Sequence, residues 1–317
     1  MKNNPFPYSN DNKRYHSYNY YVRNKYGSKV FKVCIDAGFT CPNRDGSVTT
    51  GGCVFCSERG SGDAILQTED IEKQIEHGFE LMRSKWPDAK AIAYFQSYTN
   101  THGSLEQLKK LYTPFFYDDR FIAIDIATRS DCLDEEKIAW FEEMSHVKEV
   151  NFEIGLQSIH DKTSRWMNRG HDLDSVTDAI QMLKKANLPV GIHIINGFPN
   201  ETKEEMLETA KYLAKVKPDM VKIHMLHVVK SSPLGIKYDI EPFELLSLEA
   251  YVDLVVKQLE VLPPEIVCAR LTGDAMADEL LAPFWTRRKT VVLNEIDKLM
   301  KKKDTYQGKY YKNTDSN

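Results

Sequence analysis

The sequence contains no apolar run long enough to cross a membrane, and no apolar segment follows its first residues. A membrane-spanning helix needs about 20 mostly apolar residues, and a secretory signal has an apolar run behind a charged start. Hydrophobic residues nevertheless make up 42% of the 317 residues, enough for a large core. We therefore expect a globular cytoplasmic chain without a membrane partner.

Cysteine is also scarce. Six cysteines in a chain of this length are too few for a disulfide scaffold. Cys34, Cys132 and Cys268 each stand alone among apolar neighbours, and we expect them to be small buried side chains. Cys34 is close enough in sequence to the remaining three to leave a second role open. Those three lie together in the stretch CPNRDGSVTTGGCVFC, residues 41–56.

The net charge is only −4, but the basic residues are concentrated at the two ends. Residues 1–32 hold seven Lys and Arg against one Asp, and residues 285–317 hold nine against four acidic residues. One interpretation is a pair of solvated termini, with a mobile tail after Lys301. The other is a phosphate-binding surface that includes the neighbouring tyrosines. Charge alone does not choose between them.

Short apolar runs rich in β-branched residues alternate with segments of helical period from about residue 89. This alternation predicts parallel strands joined by crossover helices. The capping-box patterns at Ser104 and Thr202 predict helix starts, and apolar stripes predict helices over 68–82, 134–146 and 174–186. The strand candidates are residues 32–36, 91–96, 121–127, 150–157, 190–197 and 221–229, with a further one at 266–271.

The spacing of these units predicts an α/β fold, a partial (β/α)6 TIM-like barrel with small N- and C-terminal extensions. We expect a basic and aromatic extension at 1–29, the barrel at 30–230, and a C-terminal extension with a basic tail at 231–317. A doubly wound sheet is the alternative. In a barrel, polar side chains that end strands lie where the chemistry occurs. Gln96, Arg129, Gln157 and Asn196 all end apolar runs.

The cysteine stretch has the spacing of a metal site with one ligand missing. Cys53 and Cys56 form a C-x2-C pair, and Cys41 precedes them on a loop rich in glycine. Zinc would need a fourth ligand, but the nearby His77 and His102 have no zinc-finger spacing. A [4Fe-4S] cluster held by three thiolates instead leaves one iron open to an exogenous ligand. The cluster is the favoured interpretation, and zinc stays an alternative.

The three-cysteine loop after the first strand, the aromatic Phe55 before the last cysteine and the βα repeat resemble the radical S-adenosylmethionine (SAM) superfamily. The commonest spacing there is C-x3-C-x2-C, whereas this chain has C-x11-C-x2-C. Long first spacings occur in the branch that includes the elongator catalytic subunit, and DAGFTCPNRDG resembles the bacterial YtqA/YhcC-type proteins of that branch. The resemblance covers roughly residues 30–275.

This resemblance implies a [4Fe-4S] cluster held by Cys41, Cys53 and Cys56, and S-adenosyl-L-methionine as the second cofactor. It also implies cleavage of SAM to a 5'-deoxyadenosyl radical, with electrons from a flavodoxin- or ferredoxin-type donor. Phe55 would shield the cluster or contact the bound cofactor.

Further motifs imply contacts to SAM. IGLQSIHDKTSRWMNRGHD is similar to the fourth-strand motif of the elongator subunit and of oxygen-independent coproporphyrinogen oxidase, which implies that Gln157 and Arg169 contact SAM. HIINGFPNET resembles the fifth-strand motif and puts His193 where an Asp often holds the ribose.

Two motifs depart further from the family pattern. YFQSYTNT, which contains Gln96 and Thr99, occupies the position of the motif that binds the methionine amino group but lacks its glycines. ATRSD resembles the third strand of the elongator type, although Ala127 replaces a common Glu. It implies that Arg129 offers SAM a carboxylate-binding fork.

The resemblance also implies a substrate, a 5-substituted wobble uridine of tRNA, for example one bearing a carboxymethylaminomethyl group. The basic, tyrosine-rich ends suit RNA through phosphate attraction and base stacking. The alternatives are a porphyrinogen or other small molecule, and a noncatalytic zinc-bound RNA-binding protein. No residue is assigned to catalysis. Strand alternation puts His224 and His227 on opposite faces of the predicted strand 221–229, so at most one would line the barrel.

Overall fold

The computed structural model describes residues 4–63, 65–273 and 275–312. The strands are β1 (Val30–Ile35), β2 (Lys90–Phe95), β3 (Phe121–Thr128), β4 (Glu149–Gln157), β5 (Val190–Asn196), β6 (Met220–Met225), β7 (Val228–Val229), β8 (Val267–Arg270) and β9 (Leu280–Ala282). The α-helices are α1 (Tyr18–Tyr26), α2 (Ile71–Arg83), α3 (Leu105–Phe116), α4 (Glu135–Ser145), α5 (Asp161–Trp166), α6 (Leu173–Lys185), α7 (Lys203–Val216), α8 (Pro233–Ile240), α9 (Leu248–Val261) and α10 (Lys289–Lys302).

The main sheet has seven strands in the order β1-β2-β3-β4-β5-β6-β8. Neighbouring strands pair in parallel, as β1 does with β2 and β6 with β8. Because β1 lies at the edge and each strand lies beside the next in sequence, the order never reverses as it does in a doubly wound sheet. The predicted α/β class and partial TIM-like barrel are confirmed, and the doubly wound alternative is wrong.

The strands are apolar and the helices are capped, as the sequence predicts. In β2 every residue from Ala91 to Phe95 is buried, which is typical of a parallel strand covered on both faces. Ser104 and Thr202 both form complete capping boxes, at the starts of α3 and α7. None of the helices in the described ranges is long and apolar enough to cross a membrane.

The chain divides into two compact units. The cysteine unit consists of Val22–Gly155 and Ser164–Gly191; the terminal unit consists of the described parts of Met1–Tyr21, Leu156–Thr163 and Ile192–Asn317. The cysteine unit has an aromatic core, in which the rings of Phe95 and Tyr112 meet edge to face at 4.8 Å. In the terminal unit the buried Tyr251 hydroxyl donates to main-chain oxygens 3.1 Å away.

The strand predicted over 221–229 is interrupted. β6 ends at Met225, and the Leu226 N–H donates to the Asn196 carbonyl at 2.7 Å instead of continuing a ladder with β8. The chain then forms β7, which pairs antiparallel with β9. The single long strand is therefore wrong. The conclusion that His224 and His227 lie on opposite faces loses its basis.

The tail predicted to be mobile after Lys301 is packed as far as residue 312. Gln307 is fully buried, and its amide donates to the carbonyls of Pro263 and Ile266 at 2.7 and 2.8 Å. The prediction is wrong for this stretch because the tail supplies hydrogen bonds that buried backbone needs. The end of the predicted tail, 313–317, lies outside the described residues, as do 1–3 of the N-terminal extension.

Candidate functional site

Two turns shape the loop that follows β1 and carries the three cysteines. The N–H groups of Arg44 and Asp45 donate to the Cys41 carbonyl at 2.7 and 3.1 Å, and the Cys56 N–H donates to the Cys53 carbonyl at 3.0 Å. Asp45 is fixed in turn by the Thr40 hydroxyl and by His102 Nε2, each at 2.7 Å. The long segment between Cys41 and Cys53 therefore contains hydrogen bonds that give it a defined conformation.

The Cys53 sulfur lies in a polar cradle although its residue is buried. Asn43 Nδ2 donates to it at 3.5 Å and an Arg169 guanidinium nitrogen at 3.6 Å. The pKa of the Cys53 thiol is held well below its usual range by a hydrogen bond from Cys56, supported by the charges of Arg169 and Arg129, despite desolvation. Because the thiolate is the form of cysteine that binds metals, this lowered pKa favours metal binding by Cys53.

Cys56 is the other half of this pair. Its pKa is raised because it donates its proton toward Cys53 and is desolvated. Two thiols that share a proton in this way would both be deprotonated by a metal centre. The described residues contain no group of three or more His, Cys, Asp or Glu placed to hold a single metal ion. A cubane cluster differs in that each thiolate binds its own iron.

Asn43 was missed by the sequence analysis. Its side chain is fully buried, and Nδ2 also donates to the carbonyls of Asn168 and Arg169 at 2.6 and 2.7 Å. Gly170 follows with φ of +77°, where a Cβ would meet Asn43 Oδ1 at 2.5 Å. In the sequence, Asn43 is only a polar residue two positions after Cys41. Its role cannot be predicted without knowing that residues 168–170 lie beside it in the folded chain.

Arg129 and Arg169 are both buried, with different partners. The Arg129 fork binds the Asp131 carboxylate at 2.9 and 2.6 Å, and its remaining nitrogen donates to the Arg169 carbonyl at 2.8 Å. Arg169 donates to the Gly155 carbonyl and to Cys53, while its Nε has no partner. The fork predicted to hold the SAM carboxylate is thus occupied in Arg129. Arg169 keeps one buried donor available.

These observations support a fit between the cysteine loop and an iron–sulfur cluster. The Cys53 thiol, whose pKa is lowered, lies near two buried guanidinium groups and near Asn43 Oδ1 and Arg169 Nε, which have no partner among the described residues. Buried polar atoms without partners are rare in proteins and mark places where a bound group supplies the missing contact. The pKa of Arg129 is raised, despite desolvation, by Asp131 and in smaller part by Cys41 and Cys53, so Cys41 lies near the same group.

The remaining predicted residues of the cysteine unit lie near the same loop. Gln96 directly follows β2; its Nε2 donates to the Ser61 carbonyl and its Oε1 accepts from the Cys34 thiol at 3.5 Å. Thr99 is buried and its N–H donates to the Thr40 carbonyl at 3.3 Å. Phe55 is half-buried in the turn between the paired cysteines. Cys34 is only partly buried, whereas Cys132 and Cys268 are buried as predicted.

The other predicted residues belong to the terminal unit. Gln157 adopts φ of +71°, a strained conformation for a residue with a side chain, and its buried Oε1 has no partner. The ring of His193 lies 5.7 Å from that of His224. Asn196 forms a reciprocal amide pair with Gln258 at 2.8 and 2.9 Å. Both polar ends of that amide are satisfied within the core, so Asn196 is structural.

Two family profiles and several known proteins match this chain. Residues 43–213 match the family profile described as "Radical SAM superfamily", and residues 218–302 match "Radical_SAM C-terminal domain". The chain is 43% identical to the uncharacterized protein YtqA of Bacillus subtilis over 98% of this chain and 97% of that protein. It is 31% identical to protein YhcC of Escherichia coli K12, over 87% of this chain and 89% of that protein.

More distant matches cover part of the chain or share its fold. A tRNA uridine(34) acetyltransferase from Methanocaldococcus jannaschii is 25% identical over 55% of this chain, a match that spans only 32% of that protein. The structure of the archaeal Methanocaldococcus infernus Elp3 superposes with a TM-score of 0.65 and 19% identity. That match covers 88% of this chain and 64% of the Elp3 chain, and it shows a shared fold.

Proposed function

We propose, because this chain belongs to the radical SAM superfamily of enzymes, that it modifies the substituent at position 5 of a wobble uridine in tRNA. Members of this superfamily use a [4Fe-4S] cluster and S-adenosyl-L-methionine, and the bound pair supplies a carbon radical that abstracts hydrogen. The observation that carries the radical SAM part of the proposal is the cysteine loop, in which the buried Cys53 sulfur accepts hydrogen bonds from Asn43 and Arg169.

The chain's own part in this chemistry begins with the ligands. Cys41, Cys53 and Cys56 would hold the cluster, and no fourth protein ligand is needed. Asn43 and Arg169 donate to the Cys53 sulfur. Such hydrogen bonds stabilise charge on a ligating sulfur and tune the potential of its metal centre.

The polar groups of SAM need charged and hydrogen-bonding partners in a desolvated place. Arg169 Nε is a buried donor and Gln157 Oε1 a buried acceptor, each without a partner among the residues that the structure describes. We assign Arg169 to the carboxylate or ribose of SAM and Gln157 to a donor on the cofactor. Gln96, Thr99 and His193 complete the proposed set, with Phe55 covering the cluster. Arg129 supports Arg169 by binding its carbonyl.

The tRNA substrate is supported by the relationship to the tRNA uridine(34) acetyltransferase. Since this chain spans about a third of that protein, acetyl transfer is not part of the proposal. The surface offers suitable chemistry: Phe284 is 65% exposed beside the exposed bases Arg287, Arg288 and Lys289. Exposed aromatic rings stack on bases and cations bind phosphates. A cytosolic flavodoxin- or ferredoxin-type protein would supply the electrons.

The experiment is anaerobic reconstitution with iron and sulfide, followed by absorbance near 400 nm and a 5'-deoxyadenosine assay with SAM and dithionite. Iron–sulfur clusters held by thiolates absorb at about this wavelength through charge transfer. We expect a brown protein that forms 5'-deoxyadenosine, and a Cys53→Ala variant that does not. A colourless wild-type protein with bound zinc would contradict the proposal.

The substrate is tested separately. Nucleosides from tRNA of cells with and without the gene are compared by mass spectrometry. We expect loss of one 5-substituted uridine and accumulation of its precursor. Purified tRNA from the deletion strain should then be converted by the reconstituted wild-type enzyme and not by Cys53→Ala. An unchanged tRNA profile together with active SAM cleavage would point to a small-molecule substrate instead.

A further inference from the structure

The terminal unit carries a row of basic side chains, of which only His193 has a place in the proposed function. Lys222 and His224 lie two residues apart on β6, so their side chains project from the same face of the sheet. Arg270 on β8 is the Cα partner of Lys222 in the parallel ladder. His193 on β5 brings its ring to 5.7 Å from the His224 ring. Three strands thus contribute bases to one place.

His224 is the least satisfied member of this group. Its Nε2 is buried and has no hydrogen-bond partner in the described ranges of the chain. A buried polar nitrogen in this state destabilises the fold unless something else binds it. Lys222, Arg270, His193 and His227 each have further interactions, so the opening for a ligand is at His224.

The electrostatic environment of His224 indicates the charge of that ligand. Its pKa is held well below the usual value, first by desolvation and then by the positive charges of His193, Arg270, Lys222 and His227. All four of these groups are bases. At neutral pH the His224 ring is therefore uncharged, in a field that attracts an anion.

We propose that Lys222, His224 and Arg270, the basic strand face, bind an anionic oxygen group of the substrate, a carboxylate or a phosphate. An arginine fork and a lysine ammonium are the side chains that bind such oxygens most strongly, and a neutral imidazole adds one N–H donor. Which molecule carries this anionic group rests on the proposed function. The anion would belong to the uridine substituent or to an adjacent phosphate of the tRNA.

The first experiment tests the anion site without RNA. Reconstituted, oxidised full-length protein with 15N-labelled histidine is titrated with sodium acetate or inorganic phosphate at constant ionic strength, with chloride as the reference anion. The His224 signal is assigned from a His224→Gln variant. An anion bound beside the ring favours its protonated form, so we expect the His224 pKa to rise with acetate or phosphate and not with chloride.

The anion that binds more tightly identifies the group for which the site is built. Preference for acetate indicates a carboxylate, and preference for phosphate indicates the RNA backbone. Arg270→Gln should weaken binding about tenfold, the cost of one charge-assisted hydrogen bond. Lys298→Gln is the matched control, because Lys298 is 71% exposed and paired within its own helix. A His224 signal that responds to neither anion more than to chloride would overturn the inference.

The second experiment connects the site to tRNA. Anticodon stem-loops with 5-carboxymethylaminomethyl uridine or its neutral carboxamide are compared for binding to the reconstituted protein without SAM. If the site takes the substituent's carboxylate, we expect the acid to bind about tenfold more tightly, and Arg270→Gln to remove this preference while leaving amide binding unchanged.

The two experiments separate the two claims. If neither stem-loop binds but the anion titration succeeds, the tRNA proposal fails and the anion site stands. If both stem-loops bind equally and no anion affects His224, the anion site fails and the tRNA proposal stands.

Discussion

At the scale of single residues, Arg169 is the side chain on which most of the candidate site depends. Its guanidinium donates to the sulfur of Cys53, which lies 116 residues earlier in the sequence. Its carbonyl accepts a hydrogen bond from Arg129, and its Nε has no partner among the described residues. The resemblance to radical SAM proteins selected Arg169 for SAM binding, and that role stays a prediction. Its contact with the Cys53 sulfur is additional information from the structure.

Replacing Arg169 by Gln should raise the pKa of Cys53. The positive charge of Arg169 favours the thiolate, so its removal shifts deprotonation to higher pH. In apoprotein, the pH at which Cys53 is half-alkylated by a small reagent, followed by mass spectrometry, should therefore increase. Arg165→Gln changes an exposed arginine on the same segment and should leave this midpoint unchanged. An identical midpoint in Arg169→Gln would contradict the role assigned to the guanidinium.

At the scale of elements, a buried ionic network connects the first four strands. Lys32 of β1 contacts Asp125 of β3 at 2.5 Å and Glu153 of β4 at 2.8 Å. Tyr94 of β2 donates to the other oxygen of Glu153 at 2.6 Å. Sequence periodicity predicted these strands as apolar runs, but it did not show that their charged members face one another. The register brings them together because parallel strands align residues at matching depths.

Lys32→Met should destabilise the chain by about 3–5 kcal/mol, because it leaves two buried carboxylates without their shared cation. The measurement is the free energy of unfolding in urea, on apoprotein under reducing conditions. Lys32→Met combined with Glu153→Gln removes one of those charges and should recover part of the loss. Lys162→Met, at a lysine that is 47% exposed, serves as the control. Equal stabilities of wild type and Lys32→Met would show that the network contributes nothing net.

At the scale of the whole molecule, two basic segments that are far apart in the sequence, the described parts of residues 1–21 and 285–317, belong to one unit and bind each other. The Gln307 N–H donates to the Arg14 carbonyl at 2.9 Å, and Gln307 Oε1 accepts from the His16 N–H at 2.8 Å. Part of the terminal charge is also neutralised, since Lys13 pairs with Asp297 and Arg14 with Asp304. Only those lysines and arginines of the two ends that remain exposed can therefore still belong to an RNA-binding surface.

Gln307→Leu should cost about 2–4 kcal/mol of unfolding free energy, because it leaves the His16 N–H and two carbonyls unpaired in the interior. Urea denaturation measures the loss. Gln181→Leu replaces an exposed glutamine on α6 and should be nearly neutral. Retention of full stability in Gln307→Leu would show that the tail packs through apolar contacts alone.

The sequence by itself determined the strand and helix pattern, the partial barrel and the three-cysteine loop, because each is encoded by residues close together in the chain. Period, capping and spacing are local properties. The break after Met225, the cradle of Asn43 and Arg169 around Cys53, and the bases around His224 were decided only by the tertiary structure. Each depends on which distant segments become neighbours, and that depends on packing and register rather than on local pattern.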